Sequence, residues 1–531
     1  MKKQTEVLVI GGGITGLGIL FDLAQRGFKA MLVERDDLST GTSGRFHGLL
    51  HSGGRYAVKD PHTARECYEE NTILRRVIPH AIEDTGGLFV LTPDDDPAYG
   101  DRFAAACQSA GIPVEEIDIA KMLRREPLLN PGITRAFTAP DASVDTWDAC
   151  HALVRGAEEY GAEVLTYHKV TDLLTRQNKV TGAAVKNILT GENLTIEADM
   201  VINAAGAWAG QIARMAGCEV KIVPGKGAMV AMNYRMVNTL INRCHVPGDG
   251  DILVPVGSVA VIGTTSIQVS EPDDLRIEDW EVQRMLDEGE KLIPSFKQFR
   301  PLRAWAGVRP LYQETVAGSD TRDVTRGHQV LDHAARDGVE GFVSIVGGKW
   351  TTYRLMAQDT VDAVCRKLNT NRPCRTADTL LPAETGLNAQ RYYHVNERLR
   401  QREHGELSGQ LICECELVTR QQIEEKLADS DTLILNDLRR DLRVGMGPCQ
   451  GGFCSYRVAG IMHRMKQINP QQTNRALSDF IQSRWKGVRP VLWGQGARQM
   501  QLDEGIYFGL LGLDKLGSKR SVPSSWQGEG E

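Results

Sequence analysis

The chain opens with a short apolar run that breaks directly into a cluster of glycines. Residues 6–10 have the apolar character of a buried strand, and residues 17–25 have the pattern of a helix. A second apolar run, 28–33, predicts another strand. The order of strand, glycine turn, helix and strand is typical of a βαβ unit with parallel strands.

The glycines of this unit have the spacing of a dinucleotide-binding motif. Gly11, Gly13 and Gly16 satisfy G-x-G-x-x-G, in which the first glycine permits a tight turn, the second admits a pyrophosphate and the third packs helix against strand. Glu34 follows the second strand, where a carboxylate is expected to accept a ribose hydroxyl. An ordinary βαβ turn is the alternative. Because the motif precedes any substrate domain, we expect FAD rather than NAD.

Further periodic segments predict a large mixed fold. The first half of the chain is expected to contain helices at 62–80 and up to about 160, strands at 87–92 and 163–167, and a β-meander covering one face of the sheet at 169–175, 180–187 and 193–199. The apolar run 200–208 ends in small residues. Gly206 is therefore expected to pack closely against the adenosine half of the cofactor.

The second half returns to strand patterns before a second glycine passage. Strands that would form a floor beneath the flavin are expected at 221–223, 228–232, 251–256 and 258–263. At 341–353 a strand again runs through glycines into a helix, which Thr351 or Thr352 would cap and which would continue to about 368. The backbone at Gly348, the helix N-terminus and the Lys349 ammonium would then face the flavin.

Composition narrows the class of protein. At 531 residues the chain is long enough for about three domains. A net charge of −6, with no basic run, disfavours nucleic acid as a partner. We find neither a signal-peptide core nor the ~18 apolar residues of a spanning helix. The sequence therefore predicts a cytoplasmic protein whose membrane association is peripheral or through a partner.

A polar loop and one arginine carry candidate chemistry. The loop 41–56 is rich in glycine, hydroxyl groups and histidine, and its side chains could close over a pyrophosphate or flavin. Its candidates are Thr42, Ser43, His51, Arg55 and Tyr56, with a solvated loop as the alternative. Arg309 lies between valine and proline in an apolar context, where a buried cation is costly unless it meets an anion. A substrate anchor and a structural salt bridge are both compatible with this position.

These motifs together resemble the FAD-dependent glycerol-3-phosphate dehydrogenases. The resemblance rests on the N-terminal glycines and on the segments 41–56, 262–265, 307–310 and 347–354, and it spans about residues 1–370. It implies an α/β (α+β overall) fold with a glutathione-reductase-type FAD-binding Rossmann domain and a D-amino-acid-oxidase-like substrate domain. Within residues 1–375 we assign 1–78, 146–217 and 331–375 to the FAD domain, and 79–145 and 218–330 to the substrate domain.

The resemblance also implies a set of substrate-binding residues. In the family, the matching side chains surround the substrate, and Arg326 resembles a position thought to hold phosphate. The implied set in this chain is His51, Arg55, Tyr56, Arg309, Arg326 and Lys349. Single-subunit members have a histidine facing the flavin after a K-G-S segment, whereas this chain has Met229 after Lys226-Gly-Ala. His51 is therefore the best candidate for the proton acceptor.

Four clustered cysteines distinguish the last third of the chain. After a polar linker, 376–410, come Cys413, Cys415, Cys449 and Cys454, whereas the other seven of the 11 cysteines are scattered. Thr419 and Gln422 predict a capping box for a short helix between the two pairs. Structural zinc prefers wider spacing than C-x-C. The arrangement of 411–465 resembles the bacterioferritin-associated-ferredoxin-like (BFD-like) domain, which implies a [2Fe–2S] cluster, while zinc and free thiols remain alternatives.

The appended cysteine domain resembles that of the large FAD subunit of the anaerobic, multisubunit type of this family. That resemblance implies oxidation of glycerol 3-phosphate to dihydroxyacetone phosphate, with electrons leaving through the iron–sulfur centre. The implied partners are a second flavin subunit, together with a membrane-anchoring iron–sulfur subunit on the cytoplasmic face of the inner membrane, with quinone reached indirectly. Residues 466–531 would dock a partner or pack on the chain itself. An amine or opine dehydrogenase and a non-catalytic electron-transfer protein are the rival functions for such a subunit.

Overall fold

The computed structural model describes residues 2–313, 324, 326–384, 395–405, 409–428 and 434–515. Its strands are β1 (Lys2–Ile10), β2 (Ala30–Val33), β3 (Leu49–Leu50), β4 (Ile82–Glu83), β5 (Gly87–Leu91), β6 (Glu115–Glu116), β7 (Arg135–Ala139), β8 (Ala142–Val144), β9 (Glu163–Leu165), β10 (His168–Arg176), β11 (Lys179–Asn187), β12 (Asn193–Asn203), β13 (Ile222–Met232), β14 (Leu240–Arg243), β15 (Ile252–Val256), β16 (Val259–Gly263), β17 (Ile267–Gln268), β18 (Pro301–Tyr312), β19 (His328–Asp332), β20 (Phe342–Gly347), β21 (Leu411–Cys413) and β22 (Val418–Thr419). Its α-helices are α1 (Ile14–Gln25), α2 (Pro61–Val77), α3 (Ala98–Ser109), α4 (Ile119–Arg125), α5 (Thr146–Glu159), α6 (Ala209–Met215), α7 (Asp279–Leu292), α8 (His333–Asp337), α9 (Tyr353–Lys367), α10 (Val395–Glu403), α11 (Arg420–Ala428), α12 (Leu435–Leu442), α13 (Ser455–Lys466), α14 (Pro470–Val488) and α15 (Gly494–Glu504).

The first sheet is built on the predicted βαβ unit. β1 pairs in parallel with β2 on one side and with β12 on the other, and β2 pairs in parallel with β9. The C-terminal part of β12 pairs in parallel with β20, so the glycine passage after β20 lies near the glycines after β1. Helix α1 begins earlier than predicted, at Ile14, because Gly13 already has the extended backbone of an N-cap. Leu8, Leu17 and Leu32 are fully buried in this layered core.

The β-meander is confirmed, but the prediction that it covers a face of the sheet is wrong. β10, β11 and β12 pair antiparallel in sequence order. However, the predicted strand 193–199 and the first part of the predicted strand 200–208 form a single strand, β12, which ends at Asn203 and also hydrogen bonds to β1. The meander therefore extends the same sheet laterally. The alternating pattern located the strands, but it could not show that the last of them continues into the sheet.

The second sheet contains the strands of the predicted flavin floor. Its order is β17-β13-β16-β15-β14-β5-β7-β6, with β18 beside β13. The predicted strands 221–223 and 228–232 are one strand, β13, because Lys226 is tolerated inside it. Its ammonium lies 2.9 Å from the buried Glu281 carboxylate, so the polar residue in the middle of the strand is paired. β13 and β18 are matched along nearly their whole length, from Ile222 opposite Tyr312 to Met232 opposite Pro301.

The C-terminal third forms a helical unit around the cysteines. Its core contains Ile423, Leu438, Met462, Phe480 and Tyr507, all buried. The predicted capping box of α11 is confirmed, because the Gln422 side chain accepts from the Thr419 backbone N–H at 3.0 Å and the Thr419 hydroxyl accepts from the Gln422 N–H at 3.3 Å.

Polar contacts hold this helical unit on the rest of the chain. Arg440 lies 2.5 Å from Asp37, and His151 lies 2.8 Å from Asp441. The Tyr167 hydroxyl donates to Asp437 at 2.7 Å. These contacts join α12 to the first sheet and to α5, so the cysteine unit packs on the region predicted to bind FAD.

The described residues of the segment predicted as a loose linker, 376–384, 395–405 and 409–410, include contacts with the rest of the chain. Leu381 is buried in the core of the first sheet, and Arg155 lies 2.6 Å from Glu384. Residues 395–403 form helix α10, and Arg398 donates to the Glu416 carbonyl at 2.7 Å. Polar composition concealed this packing because it depends on a few anchoring side chains rather than on a periodic apolar face. None of the helices in the described part of the chain is long and apolar enough to cross a membrane.

Candidate active site

The glycine motif forms a close turn between β1 and α1. Gly11 has a φ of +115°, and a Cβ there would lie 2.5 Å from the Ala204 carbonyl oxygen. A Cβ on Gly16 would lie 1.9 Å from the Gly11 carbonyl oxygen, so this glycine brings helix and strand into contact as predicted. A Cβ on Gly13 would meet only the Ser43 hydroxyl, at 3.2 Å, and would otherwise enter the neighbouring cavity. The turn thus leaves room for a pyrophosphate at Gly13.

Glu34 and the loop 41–56 complete this part of the cavity. The Glu34 carboxylate accepts from the backbone N–H of Gly12 at 2.6 Å and of Asp36 at 2.9 Å. Burial raises the pKa of the Glu34 carboxyl, against these two hydrogen bonds, which lower it. The Ser43 hydroxyl accepts from the Ile14 N–H at 3.0 Å, at the start of α1. Thr42 donates to the Val308 carbonyl at 2.6 Å and so ties the loop to β18.

One cavity of about 710 Å³ lies between the two sheets and brings together most of the predicted site residues. Those that line it are Gly11, Gly13, Glu34, Thr42, Ser43, His51, Arg55, Tyr56, Gly206, Arg309, Arg326, Gly348 and Lys349. Its volume is in the range of cofactor sites. We call the region around Gly11, Gly13 and Glu34 the nucleotide part, and the region around His51, Arg309 and Lys349 the substrate part.

Two predicted cofactor-binding residues do not line this cavity. The space beside Gly16 is filled by the Gly11 carbonyl, against which α1 packs. Thr351 is fully buried behind the wall, where its hydroxyl accepts from the His51 backbone N–H at 3.1 Å. Thr352 occupies the N-cap position of α9, one of the two positions predicted, but its hydroxyl donates to the Lys349 carbonyl and makes no capping hydrogen bond to the helix. Thr351 thus positions the histidine loop.

Arg309 reaches the cavity from β18 and is held by neutral oxygens. Its guanidinium donates to the Thr265 carbonyl at 3.1 Å and to the Thr264 hydroxyl. Weaker contacts at 3.4 Å reach the Gly225 carbonyl and the Ser266 hydroxyl. These hydroxyl and carbonyl oxygens fix the orientation of the guanidinium. An anion in the cavity would therefore find a positioned cation.

Arg55 is held by a carboxylate that the sequence patterns did not indicate. Asp251 is fully buried, lies 2.7 Å from Arg55 and 3.0 Å from the His245 ring, and accepts from the Gly248 N–H. Burial alone would raise the pKa of Asp251, but Arg55, His245 and Gly248 hold it well below the usual range. The sequence placed Asp251 at the start of a strand, yet its partner is 196 residues away. Only the fold could reveal this pair.

Lys349 stands beside the aromatic side of the site. Its ammonium lies 5.4 Å from the centre of the Tyr56 ring and donates to the Arg326 carbonyl at 3.1 Å. Tyr56 in turn lies 5.3 Å, ring centre to ring centre, from His51. These contacts bring residues 51, 56, 326 and 349 into one group, as the resemblance implied.

Two histidines lie among these cations. Burial, followed by the charges of His47, Arg55, Lys349 and Arg326, lowers the pKa of His51 well below its usual value. Burial also lowers the pKa of His47 to about 3, with Arg55 and Arg309 adding to the effect. Both rings are therefore neutral at physiological pH. Only His51 was expected from the sequence, although His47 belongs to the same histidine-bearing loop, and that shared loop was the signal that could have found it.

The two neutral histidines differ in what their ring nitrogens can do. The His47 Nδ1 accepts from the Leu49 backbone N–H at 3.2 Å, so its hydrogen must reside on Nε2 and that atom can only donate. In the described part of the chain, neither ring nitrogen of His51 has a hydrogen-bond partner. His51 can therefore accept a proton. Met229, at the position where relatives of the single-subunit type have histidine, is buried against Gly263 and has no such capacity.

The four cysteines lie on two turns of the helical unit. Cys413 and Cys415 flank the end of β21, and Cys449 and Cys454 precede α13. The thiols interact in two pairs, Cys413 with Cys454 and Cys415 with Cys449. Backbone N–H groups of Gly451, Gly452 and Phe453 also point at Cys449 and lower its pKa after the contribution of Cys415. The backbone N–H groups of this turn thus place partial positive charge beside the Cys449 thiol.

Comparison with known proteins agrees with this architecture. The family model described as FAD dependent oxidoreductase matches residues 6–354. The A component of the anaerobic glycerol-3-phosphate dehydrogenase of Escherichia coli (strain K12) is 44% identical over 97% of this chain and 98% of the relative. The A1 component of the anaerobic enzyme of Haloferax volcanii is 41% identical over 97% of this chain and 92% of the relative.

A solved structure shares the fold. The glycerol-3-phosphate dehydrogenase from Bacillus halodurans, determined in complex with FAD, has a TM-score of 0.66 at 22% identity and covers 93% of this chain and 97% of its own. This likeness confirms the predicted α/β fold class. The chain therefore belongs to the FAD-dependent oxidoreductases and, within them, to the family of the A components of anaerobic glycerol-3-phosphate dehydrogenases.

Proposed function

We propose that this chain oxidises sn-glycerol 3-phosphate at C2 to dihydroxyacetone phosphate, using FAD, and passes the electrons through a [2Fe–2S] cluster to partner subunits. The observation that carries the proposal is the composition of the cavity between the two sheets. A turn that admits a pyrophosphate forms one part, and Arg55, Arg309, Arg326 and Lys349 line the other together with a neutral histidine. The relatives that share nearly the full length of the chain are named for this substrate.

The cationic side chains suit a phosphate group. Arg309 is oriented by carbonyl and hydroxyl oxygens, and Lys349 is placed by the Arg326 carbonyl and the Tyr56 ring. Charge-assisted hydrogen bonds from guanidinium and ammonium groups to phosphate are stronger than neutral ones. Binding the substrate through its phosphate would leave C2 and its hydroxyl free to approach the flavin. Arg309 and Arg326 are our choice for the phosphate itself.

His51 is our choice for the proton acceptor. Oxidation of the alcohol requires a base within hydrogen-bond reach of the C2 hydroxyl. His51 is neutral and its ring nitrogens are unpartnered in the described part of the chain, whereas the His47 Nε2 can only donate. A bound phosphate would offset the nearby charges of Arg55, Lys349 and Arg326, so it would raise the pKa of His51 and make it a better acceptor. Thr351 and Tyr56 hold the loop and ring in place.

The nucleotide part fits FAD. Gly13 leaves the cavity open beside the N-terminus of α1, Gly206 and Gly348 line the wall, and Glu34 presents carboxylate oxygens. When bound, FAD would supply the hydride acceptor at N5. The Phe46 and Trp350 rings stack with centres 6.1 Å apart on the cavity wall, which shields the reacting region from water.

The pairing of the thiols favours a two-iron cluster over zinc. A tetrahedral zinc site places all four sulfur atoms about 3.8 Å apart. Among the residues that the structure describes, no three of the four cysteine sulfurs lie within 4.8 Å of one another. Two close pairs suit a cluster in which each iron takes two thiolates, and the backbone N–H groups at Cys449 would offset its negative charge. Cys413, Cys415, Cys449 and Cys454 would hold this cluster and supply a one-electron carrier.

One strand touches both proposed redox sites. Gly307 and Arg309 of β18 line the cavity, and Arg300, just before β18, donates to the Pro448 carbonyl at 2.8 Å, next to Cys449. We infer that electrons leave the flavin on this side. A second flavin subunit, together with a membrane-anchoring iron–sulfur subunit, would receive them, with quinone as the eventual acceptor. Such partners would place the chain on the cytoplasmic face of the inner membrane.

Anaerobic reduction of the isolated, FAD-loaded chain tests the activity. Addition of sn-glycerol 3-phosphate should bleach the flavin absorbance as fast as the enzyme turns over. Glycerol, which lacks the phosphate, should leave the absorbance unchanged. Bleaching by an N-alkyl amino acid and not by glycerol 3-phosphate would identify an amine or opine dehydrogenase. No bleaching by either compound would identify a non-catalytic electron carrier.

Substitution of one cysteine tests the electron path separately. Cys449→Ser should lose iron, should retain turnover with a dye that oxidises the flavin directly, and should lose electron transfer to the quinone chain. Cys374→Ser, at a thiol outside the cluster, is the matched control and should change neither assay. Zinc in the anaerobically prepared wild-type protein would overturn this electron path while leaving the dye assay intact.

A further inference from the structure

Three arginines meet at the boundary between the cysteine unit and the second sheet. Arg303 belongs to β18, Arg439 to α12 and Arg484 to α14. The Arg303 guanidinium lies against Gly487, where a Cβ would be 2.5 Å from its Nη2. Arg439 lies 5.9 Å from the Trp147 ring and donates to Asn436 at 3.1 Å. We call Arg303, Arg439 and Arg484 the arginine triad.

The triad is an unusual concentration of buried positive charge. Burial, and after it the charge of Arg45, lowers the pKa of Arg303 to about 10. The pKa values of Arg439 and Arg484 are lowered well below their usual range by burial and by neighbouring arginines, which include Arg303. Such an arrangement is costly unless negative charge is close by. Asp437 and Asp37, the carboxylates whose charges raise the pKa of Arg439, are both paired with Arg440.

Arg484 is buried beside the turn that carries Cys449. It is 2% exposed, and its Nε has no hydrogen-bond partner in the described residues. The charges of Cys454 and Cys449 raise the pKa of Arg484, against burial and the neighbouring arginines, which lower it. Its Nη2 donates to the Gln450 side chain, whose amide donates to the carbonyls of Met446 and Gly447 at 3.1 and 3.0 Å. Arg484 therefore braces the turn that carries Cys449 and places a buried positive charge beside that turn.

We propose that the arginine triad is the counter-charge of the cluster held by the four cysteines and that it raises the reduction potential of that cluster. The inference rests on the proposed [2Fe–2S] centre. A cluster with four thiolates is net negative and becomes more negative by one charge when it accepts an electron. Buried cations therefore stabilise the reduced form more than the oxidised form. The triad would favour transfer of one electron from the reduced flavin to the cluster, and the flavin is oxidised in the same step.

Removal of the charges at constant geometry tests the proposal. Arg484→Met and Arg303→Met would be prepared anaerobically as full chains, with FAD and iron measured per chain, and the cluster potential would be titrated with EPR detection. We expect at least a tenfold lower equilibrium constant for reducing the cluster in Arg484→Met, equivalent to about 59 mV for one electron. Arg303→Met should shift the potential in the same direction by less, because the Arg303 guanidinium lies against Gly487, whereas Arg484 hydrogen bonds to Gln450 beside Cys449.

Three further variants separate charge from bracing. Arg484→Lys keeps the charge and should retain a near wild-type potential. Gln450→Ala removes the brace and keeps the charge, so it should lower iron loading without lowering the potential. Arg475→Met removes an exposed charge from the same helix, α14, and should leave the potential unchanged.

The outcomes are distinguishable. A wild-type potential in iron-loaded Arg484→Met or Arg303→Met would overturn the proposal, as would loss of iron from both, which would make the triad structural. Zinc in the wild-type chain would overturn it together with the proposed cluster, whereas flavin bleaching by glycerol 3-phosphate would still stand.

Discussion

The nucleotide part and the substrate part of the cavity are built from different materials. In the nucleotide part, the site is formed by the backbone at the N-terminus of α1 and by the space that Gly11 and Gly13 leave because they have no side chain. In the substrate part, charged side chains converge from several distant segments, such as Arg55 and Arg309. Backbone geometry serves a cofactor that stays in place, because it is fixed by the fold itself. Side-chain charge serves a small anion that must bind and leave.

The difference implies that damage to the two parts should have separable consequences. Loss of the nucleotide part should remove the flavin and all activity. Damage in the substrate part should leave a yellow protein that binds its substrate poorly. Variants at single positions can test this separation, beginning with the most severe.

The largest effect is expected for Gly13→Val. Its side chain would project into the space beside α1 that the pyrophosphate needs, while the turn itself contacts only the Ser43 hydroxyl there. We expect protein purified without flavin and without activity, measured by absorbance at equal protein concentration. Gly16→Val is the contrasting variant, because a Cβ 1.9 Å from a carbonyl oxygen should prevent stable folding. Full FAD occupancy in Gly13→Val would remove this turn from the cofactor site.

This contrast also explains what the sequence could show. The nucleotide part was predictable because its glycines and Glu34 lie within one local unit whose spacing has a physical reason. The substrate part required the resemblance to a family, because nothing in the sequence places Arg55 beside Asp251 or Lys349 beside Tyr56. The loop composition could have indicated His47, but its tautomer depends on a hydrogen bond from Leu49 that only the folded loop provides.

The next largest effect is expected for Arg309→Ala. If the guanidinium binds phosphate, its loss should cost about 3 kcal/mol of transition-state binding, a fall of roughly 150-fold in kcat/KM. FAD content should be unchanged, because Arg309 belongs to the substrate part. Arg336→Ala, at a guanidinium that binds the Tyr312 hydroxyl at the end of β18, is the matched control and should keep full activity. Unchanged kcat/KM in Arg309→Ala would make this arginine structural.

A smaller effect is expected for Asp251→Asn, which acts on the substrate part through another residue. Asparagine keeps the shape but removes the charge that holds Arg55 at 2.7 Å and His245 at 3.0 Å. We expect KM to rise by roughly 30-fold, about 2 kcal/mol, with little change in kcat. Asp287→Asn, at an exposed carboxylate of α7, should leave both constants unchanged. A fall in kcat alone would assign Asp251 to the chemical step instead.

The smallest effect concerns the pH dependence of stability, where the two parts should respond in opposite directions. His47 has a pKa of about 3 in the folded chain and about 6.5 when unfolded, so on acidification the unfolded chain takes up the proton first. The stability contributed by its neutral ring is complete above pH 6.5 and is lost as the pH falls from there towards 3. Glu34 has a raised pKa, so the cost of burying its charge is relieved as the pH falls.

Replacement of His47 isolates its share of that dependence. Between pH 7.5 and 5.5 one such histidine costs about 1.4 kcal/mol of stability. His47→Gln should therefore lose less thermal stability over this range than the wild-type protein, as measured by Tm with FAD bound. His62→Gln, at an exposed histidine of α2, should follow the wild-type curve. Identical slopes for wild type and His47→Gln would mean that the His47 ring is not held neutral in the folded chain.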